Sequence, residues 1–251
     1  MSLSLITLVG GAVFAAAAIS GLLGMAGGSL LMAVLTYALP VSAALALHGA
    51  AQLASNLSRM AFNLRHVRFA SVGWFGLGSG LAMAGLAVVA FTPSKTLVFL
   101  GMGLLPIFVW LPPRWIPLDA ARPAHAFVGG LLSTVLALTA GVSGPLSELF
   151  LVRSALNRHE VIGTKAAFQV FAHLAKLVFY GGALLGAAGD GAAAGPALIL
   201  LAVLAAVAGS AVGRRLLDHL PEARFRRWRR WIFTAIGAGF LIQGLRLLAG
   251  A

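Results

Sequence analysis

Two sets of polar side chains recur in this 251-residue chain with the spacing i, i+4, i+8, i+11, i+15. The first set is His48, Gln52, Asn56, Arg59 and Asn63; the second is Lys165, Gln169, His173, Lys176 and Tyr180. That spacing keeps each set on one helix face. The sets superpose at a constant offset of 117 residues, which carries Gln52 onto Gln169 and Asn56 onto His173. Amides, imidazoles, a guanidinium and ammonium groups are mostly hydrogen-bond donors. Gathered where carboxylates are scarce, they suit the recognition of an anion. A charged side chain at mid-bilayer costs about 2.5–3.5 kcal/mol on insertion scales, so such residues face protein or water. Gln52, Asn56, Gln169 and His173 are therefore expected around a central cavity. Arg59 and Lys176, nearer the helix ends, either contact substrate or snorkel to the interface.

The same offset relates two glycine-rich breaks. The first is Gly21-Leu22-Leu23-Gly24-Met25-Ala26-Gly27-Gly28-Ser29, and the second is Thr139-Ala140-Gly141-Val142-Ser143-Gly144-Pro145-Leu146-Ser147. Each interrupts an apolar run, and an unwound backbone is tolerated in a membrane only where protein covers it or it lines a cavity. Paired interruptions in corresponding halves are the sequence pointer to a transporter binding site. Restarted helices would present free amides and a positive dipole end near mid-membrane. This places Gly27, Gly28, Ser29, Ser143 and Gly144 with the stripe residues in the expected site. Glu148, after the second break, is expected as a helix cap, and with His173 it is the candidate for proton coupling.

Composition sets the frame for these residues. The chain is 60% hydrophobic and 10% charged, with a mean hydropathy of +0.98. A soluble domain of this size carries far more charge, so the fold class is an all-α polytopic membrane protein. Cysteine is absent, which removes thiolate metal sites, disulfides and cysteine nucleophiles. The net charge of +12 is not read as nucleic-acid binding, because seven of the eighteen Lys and Arg residues crowd between Arg214 and Arg230. That stretch reads as a topogenic loop beside anionic lipid.

Eight apolar segments follow, with the fourth running from Ser94 to Leu111 and the fifth from Ala124 to Val152. Basic residues fall after segments two (Arg65, Arg68), four (Arg114, Arg122), five (Arg153, Arg158) and seven. The remaining loops hold only Lys95 and Asp190. The positive-inside rule is satisfied everywhere only if segment five enters and returns on one side as a re-entrant hairpin. By the repeat, segment one is a hairpin too. Each half, 1–115 and 116–251, is then one broken hairpin plus three crossings. The halves have inverted topology within one membrane domain, with basic loops cytoplasmic and both termini outside.

Eight segments, the glycine break and its echo, and Val161-Ile162-Gly163-Thr164 entering segment six resemble the sulfite exporter TauE/SafE family. Gly24, Gly27 and Gly28 fit its first glycine cluster, and Gly141 and Gly144 its second. The resemblance implies a permease of the cytoplasmic (inner) membrane that moves sulfite, sulfoacetate or related organosulfur anions, usually outward. Lys165 stands where a small hydroxyl residue commonly follows Gly-Thr, which extends the expected cargo to carboxylate anions. The expectation is an alternating-access anion exporter, not an enzyme, with no cofactor or metal. Its expected partners are a small anion and membrane lipid, and a homodimer is the oligomer left open. An anion channel of the same fold is the first alternative. The second reads Gly141-Val142-Ser143-Gly144 as the GxSG of rhomboid proteases, with Ser143 as nucleophile and His173 as base. The repeat already accounts for those glycines, and its first copy has Ala26 in place of the serine.

Overall fold

The computed structural model describes residues 3–23, 26–89, 93–112, 118–152, 156, 158–184, 196–217 and 222–250, and every regular element among them is helical. The first apolar run divides into α1 (Leu3–Leu23) and α2 (Ala26–Ala38). Gly24 and Met25 of the break lie outside the described residues, as do Arg114, Arg153 and Asp190. At Gly27 a Cβ would overlap the Ala16 carbonyl and the Ser20 hydroxyl of α1, so α2 folds back against the helix before it. Next come α3 (Val41–Phe62), a single 3-10 turn at Leu64–His66, and α4 (Phe69–Val89).

Two expectations about segments are corrected here. The fourth run is not continuous but forms α5 (Lys95–Leu104) and the short α6 (Ile107–Trp110). Pro106 lies between them, and proline both lacks the helical amide hydrogen and clashes with the preceding turn. The basic stretch from Arg214 is also largely helical rather than a loop. It lies on the end of α10 (Pro196–Leu217) and the start of α11 (Glu222–Leu248), because polar residues extend both helices beyond their apolar spans.

The fifth run breaks as expected, into α7 (Pro123–Thr139) and α8 (Gly144–Val152), and α9 (Arg158–Leu184) follows. α7 ends in a left-handed turn. Ala140 N–H still donates to Leu136, and Gly141 then takes φ +81°, a conformation glycine enters without a Cβ penalty.

Helices from the two ends of the chain interlock. α1 packs along α10 and α4 along α7, while α3 crosses α9 and α5 lies on α11. The crossings are close because glycine removes side chains at the contact. A Cβ on Gly78 would overlap the Phe127 carbonyl, and one on Gly130 the Phe75 carbonyl, so α4 and α7 touch through their backbones. Gly209 and Gly213 meet α1 at the carbonyls of Phe14 and Ala18 in the same way. Gly80 has nothing within 4 Å, and the close contact is made two residues earlier, at Gly78.

Polarity is arranged inside out relative to a soluble domain. Leu77, Leu81, Val88, Leu200, Leu204 and Ile242 are exposed, while Ser55, His48, Lys176 and Gln169 are buried. Three helices, Phe69–Val89, Glu160–Gly182 and Ala197–Leu216, are long and apolar enough to cross a bilayer, and several shorter apolar helices accompany them. Several of the described charges gather at one end of the bundle, whereas Lys95 starts α5 and Arg246 lies in the last turn of α11. Arg68 is 3.6 Å from Glu160 at the start of α9, and Arg214 lies over the Phe62 ring at the end of α3. Arg122 precedes α7, where Ala120 N–H bonds to Phe150 near the end of α8.

The α4–α7 crossing makes a direct test. Gly130→Ala is expected to lower stability by about 1–3 kcal/mol, as an overpacked contact does. Gly80→Ala, in open space, should stay within about 1 kcal/mol of the parent. Thermal unfolding in detergent reads both, and equal melting temperatures would refute the backbone contact.

Candidate substrate site

The polar face of α9 is sewn to the α7–α8 hairpin over most of its length. Lys165 Nζ donates to Glu148 Oε2 on α8 at 2.8 Å. One turn on, Gln169 Nε2 donates to Ser147 Oγ at 2.8 Å and more weakly to Ser143 Oγ at 3.4 Å. Lys176 Nζ donates to the Gly141 carbonyl at the hairpin break, and Tyr180 OH to the Leu138 carbonyl in the last turn of α7. Those carbonyls lie at a helix end, where the intrahelical amide donors have run out. A cation there also meets the negative end of the helix dipole.

α3 repeats the arrangement against the first hairpin. His48 Nε2 donates to the Gly28 carbonyl at 2.9 Å. Arg59 donates to Asn56 Oδ1 at 2.8 Å and reaches the Ser20 carbonyl, among the last four of α1, at 3.4 Å. Asn56 Nδ2 bonds to the Gln52 carbonyl, and Asn63 Nδ2 to that of Arg59, so both amides also close the helix on itself. Arg59 and Lys176, equivalent by the 117-residue offset, thus do the same job at the ends of α1 and α7. Neither simply snorkels. Lys176 is wholly buried, and Arg59 turns back toward the α1 terminus.

The two hairpin tips meet where α3 crosses α9. Gly28 lies 3.6 Å, measured from a Cβ position, from the Gln52 amide and from Val142. Gly141 sits against Met32 in α2. The His48 and His173 rings are 5.5 Å apart, and Lys176 Nζ is 2.9 Å from His48 Nδ1. Most sequence-derived site residues therefore converge, though with unequal roles. Gly27 packs inside its own hairpin, while Gly144 faces open space at the start of α8.

Four polar groups are left once the seam bonds are set aside, one of them Thr134 Oγ1 within α7. Ser29 Oγ and His173 Nδ1 are buried with no hydrogen-bond partner among the described residues. The Gln52 side-chain amide, 4% exposed and beside Gly28, likewise has no hydrogen bond described. Ser143 Oγ accepts from Gln169, and no hydrogen bond joins it to His173 among the described residues.

Glu148 corrects an expectation. It does not cap α8, which starts at Gly144 and places Glu148 beyond the first-turn amides, where its side chain turns sideways to Lys165. The residue types alone concealed two members of this constellation. Ser147, one turn after Ser143, links Gln169 to Ser133, with the two serine hydroxyls 3.1 Å apart. His48 proves to touch both a hairpin tip and the facing stripe, as Lys176 does from the other side. The signal for Ser147 was its i+4 spacing from Ser143; nothing in the sequence singled out His48 within its stripe.

An apolar-surfaced helical bundle with a polar seam around two broken hairpins is a membrane transport protein. The chain belongs to the sulfite exporter TauE/SafE family, whose model matches residues 9–240 of the 251. No curated protein and no solved structure matches it.

The Glu148–Lys165 pair is testable by its asymmetry. Glu148→Gln or Lys165→Met alone leaves a charge buried without its partner and should cost about 3–5 kcal/mol, whereas Glu148→Leu with Lys165→Met should come back near the parent. A double-mutant cycle of melting temperatures measures this. Strict additivity would mean the two groups do not interact.

Proposed function

We propose that the protein exports small oxyanions, sulfite and organosulfur or carboxylate anions, across the inner membrane by alternating access. One observation carries this reading: Ser29 Oγ, the Gln52 amide and His173 Nδ1 remain without partners at the meeting point of two broken hairpins. Buried polar groups left unpaired cost free energy, so a site built of them is completed by a ligand that bonds to them. The first-turn amides of α2 and α8 add further donors and a positive dipole end. The acid of the second hairpin, Glu148, is already neutralised by Lys165, which removes the main source of repulsion toward an anion.

The pattern of helix contacts supports the two-repeat reading. Exchanging α1 with α7, α3 with α9, α4 with α10 and α5 with α11 turns the α1–α10 contact into the α7–α4 contact and leaves α3–α9 and α5–α11 as like-with-like pairs. An inverted pair of repeats gives two packings of similar energy, one open to each side, around the fixed site. The basic end of the bundle is cytoplasmic in this reading, by the positive-inside rule.

The test couples binding to flux. Sulfite, sulfate, thiosulfate, sulfoacetate, taurine and short carboxylates are screened for thermal stabilisation of the solubilised protein. A ligand at a hundredfold excess over its Kd stabilises the folded state by about 2.7 kcal/mol. An anion hit that is lost in Gln52→Ala and His173→Ala, with saturable vesicle flux lost in those variants and in Asn56→Ala and Gln169→Ala, is the expected result. Normal flux in all four variants would refute the site. Stabilisation by cations or neutral solutes alone would refute the anion.

A further inference from the structure

A single hydrogen-bonded chain runs between the two hairpin tips. It passes from the Gly28 carbonyl of α2 to His48 of α3, across to Lys176 of α9, and on to the Gly141 carbonyl at the second break. All four residues are buried. The chain fixes the protonation of its central member by geometry. A carbonyl only accepts, so His48 Nε2 must carry a hydrogen. In a neutral ring Nδ1 then holds a lone pair, and Lys176 Nζ, 2.9 Å away, donates to it.

From this arrangement we infer that His48 is a proton-binding site that couples proton uptake to the separation of the hairpin tips, an inference that rests on the anion-transport reading above. A proton from water added to Nδ1 makes an imidazolium with a donor on each nitrogen. Nδ1–H and the Lys176 ammonium then face each other as two donors and two positive charges. Either Lys176 withdraws or it gives up its own proton. If it withdraws, the chain parts between α3 and α9, which is the seam between the two halves of the transporter.

The surroundings leave His48 as the group able to do this. The titratable side chains that face it are Lys176 and His173, both from α9, while Arg59 of its own helix lies eleven residues further on and bonds to Asn56 and Ser20. α1 and α2, which also pack on α3, bring only the Gly28 carbonyl and no ionisable group near the ring. From α10 comes the neutral Ser210 hydroxyl, bonded to Ser55 at 2.7 Å, while Arg214 and Arg215 lie at that helix's far end. His173 Nδ1 has no partner, so its protonation breaks no bond of the chain. Protonation of His48 breaks one and adds a positive charge beside the unpaired donors of Gln52 and His173. Proton and anion therefore favour each other's binding, and linkage makes that coupling reciprocal.

The absence of cysteine allows a reporter that does not depend on cargo. Val142→Cys places a single thiol at the second tip, 3.6 Å from the Cβ position of Gly28. Its modification by a small maleimide is followed from about pH 8 downward, through and below the ordinary histidine range. Only the thiolate reacts, so each rate is divided by that of the same thiol in His48→Gln at the same pH. His48→Gln can donate to Gly28 and accept from Lys176 but cannot titrate, so its rate follows the thiolate fraction alone. With His48 present the ratio rises as pH falls, by up to about tenfold per pH unit, the limit for one linked proton. His48→Ala cannot join the tips, and its ratio is high at every pH. A ratio that does not change with pH when His48 is present overturns the inference. Uptake of radiolabelled sulfite with a vesicle-trapped pH dye then separates it from the cargo reading. Sulfite-dependent proton movement in the parent, absent in His48→Gln, supports both. A pH-gated thiol with no saturable anion flux from any member of the panel leaves the proton site standing and removes the anion.

Discussion

Lipid offers no hydrogen bonds, and the protein breaks two of its helices anyway. That constraint organises the rest of the molecule. Each break strands carbonyls at the end of one arm and amides at the start of the next, and protein must satisfy them. The polar stripes of α3 and α9 do so. Arg59 reaches the Ser20 carbonyl, Lys176 the Gly141 carbonyl and Tyr180 the Leu138 carbonyl, while His48 adds a bond to the Gly28 carbonyl in the first turn of α2. The residues that look from a distance like a binding-site inventory are first of all the bonds that make broken hairpins tolerable.

In the proposed transport reading, function resides in the remainder. The seam leaves Ser29, Gln52 and His173 short of partners, where the tips meet and where glycine keeps side chains away. Neighbours one turn away on the same faces, such as Asn56 and Gln169, are engaged. The same economy holds at the crossings. Backbones touch at Gly78 and Gly130, and at Gly209 and Gly213, so few interlocked side chains lie between those helices.

Charge placement separates two tasks that composition lumps together. Arg68, Arg122, Arg214 and Arg215 share one end of the bundle. Arg59, Lys165 and Lys176 lie along the seam and are consumed by internal partners. An excess of basic residues is therefore a poor guide to the proposed anion site, and the unpaired neutral groups are a better one.

Much of this was legible in the residues themselves. Hydropathy and scarcity of charge require a helical membrane protein, because no soluble surface can be made from them. The shared offset of the stripes and glycine breaks pairs α3 with α9 and the first hairpin with the second, because helical periodicity and glycine's lack of a Cβ act locally. The end of α10 and the start of α11 were misread as a loop, since a run of arginines marks a side of the membrane without forbidding a helix. What a stripe residue touches could not be read at all. Glu148 finds Lys165 across 17 residues, and Lys176 finds His48 across 128. Such partners are chosen by where helices cross, and the crossings depend on glycines of other helices. One sequence pattern therefore yields both bonded side chains and the few left open, and only the packed bundle decides which are which.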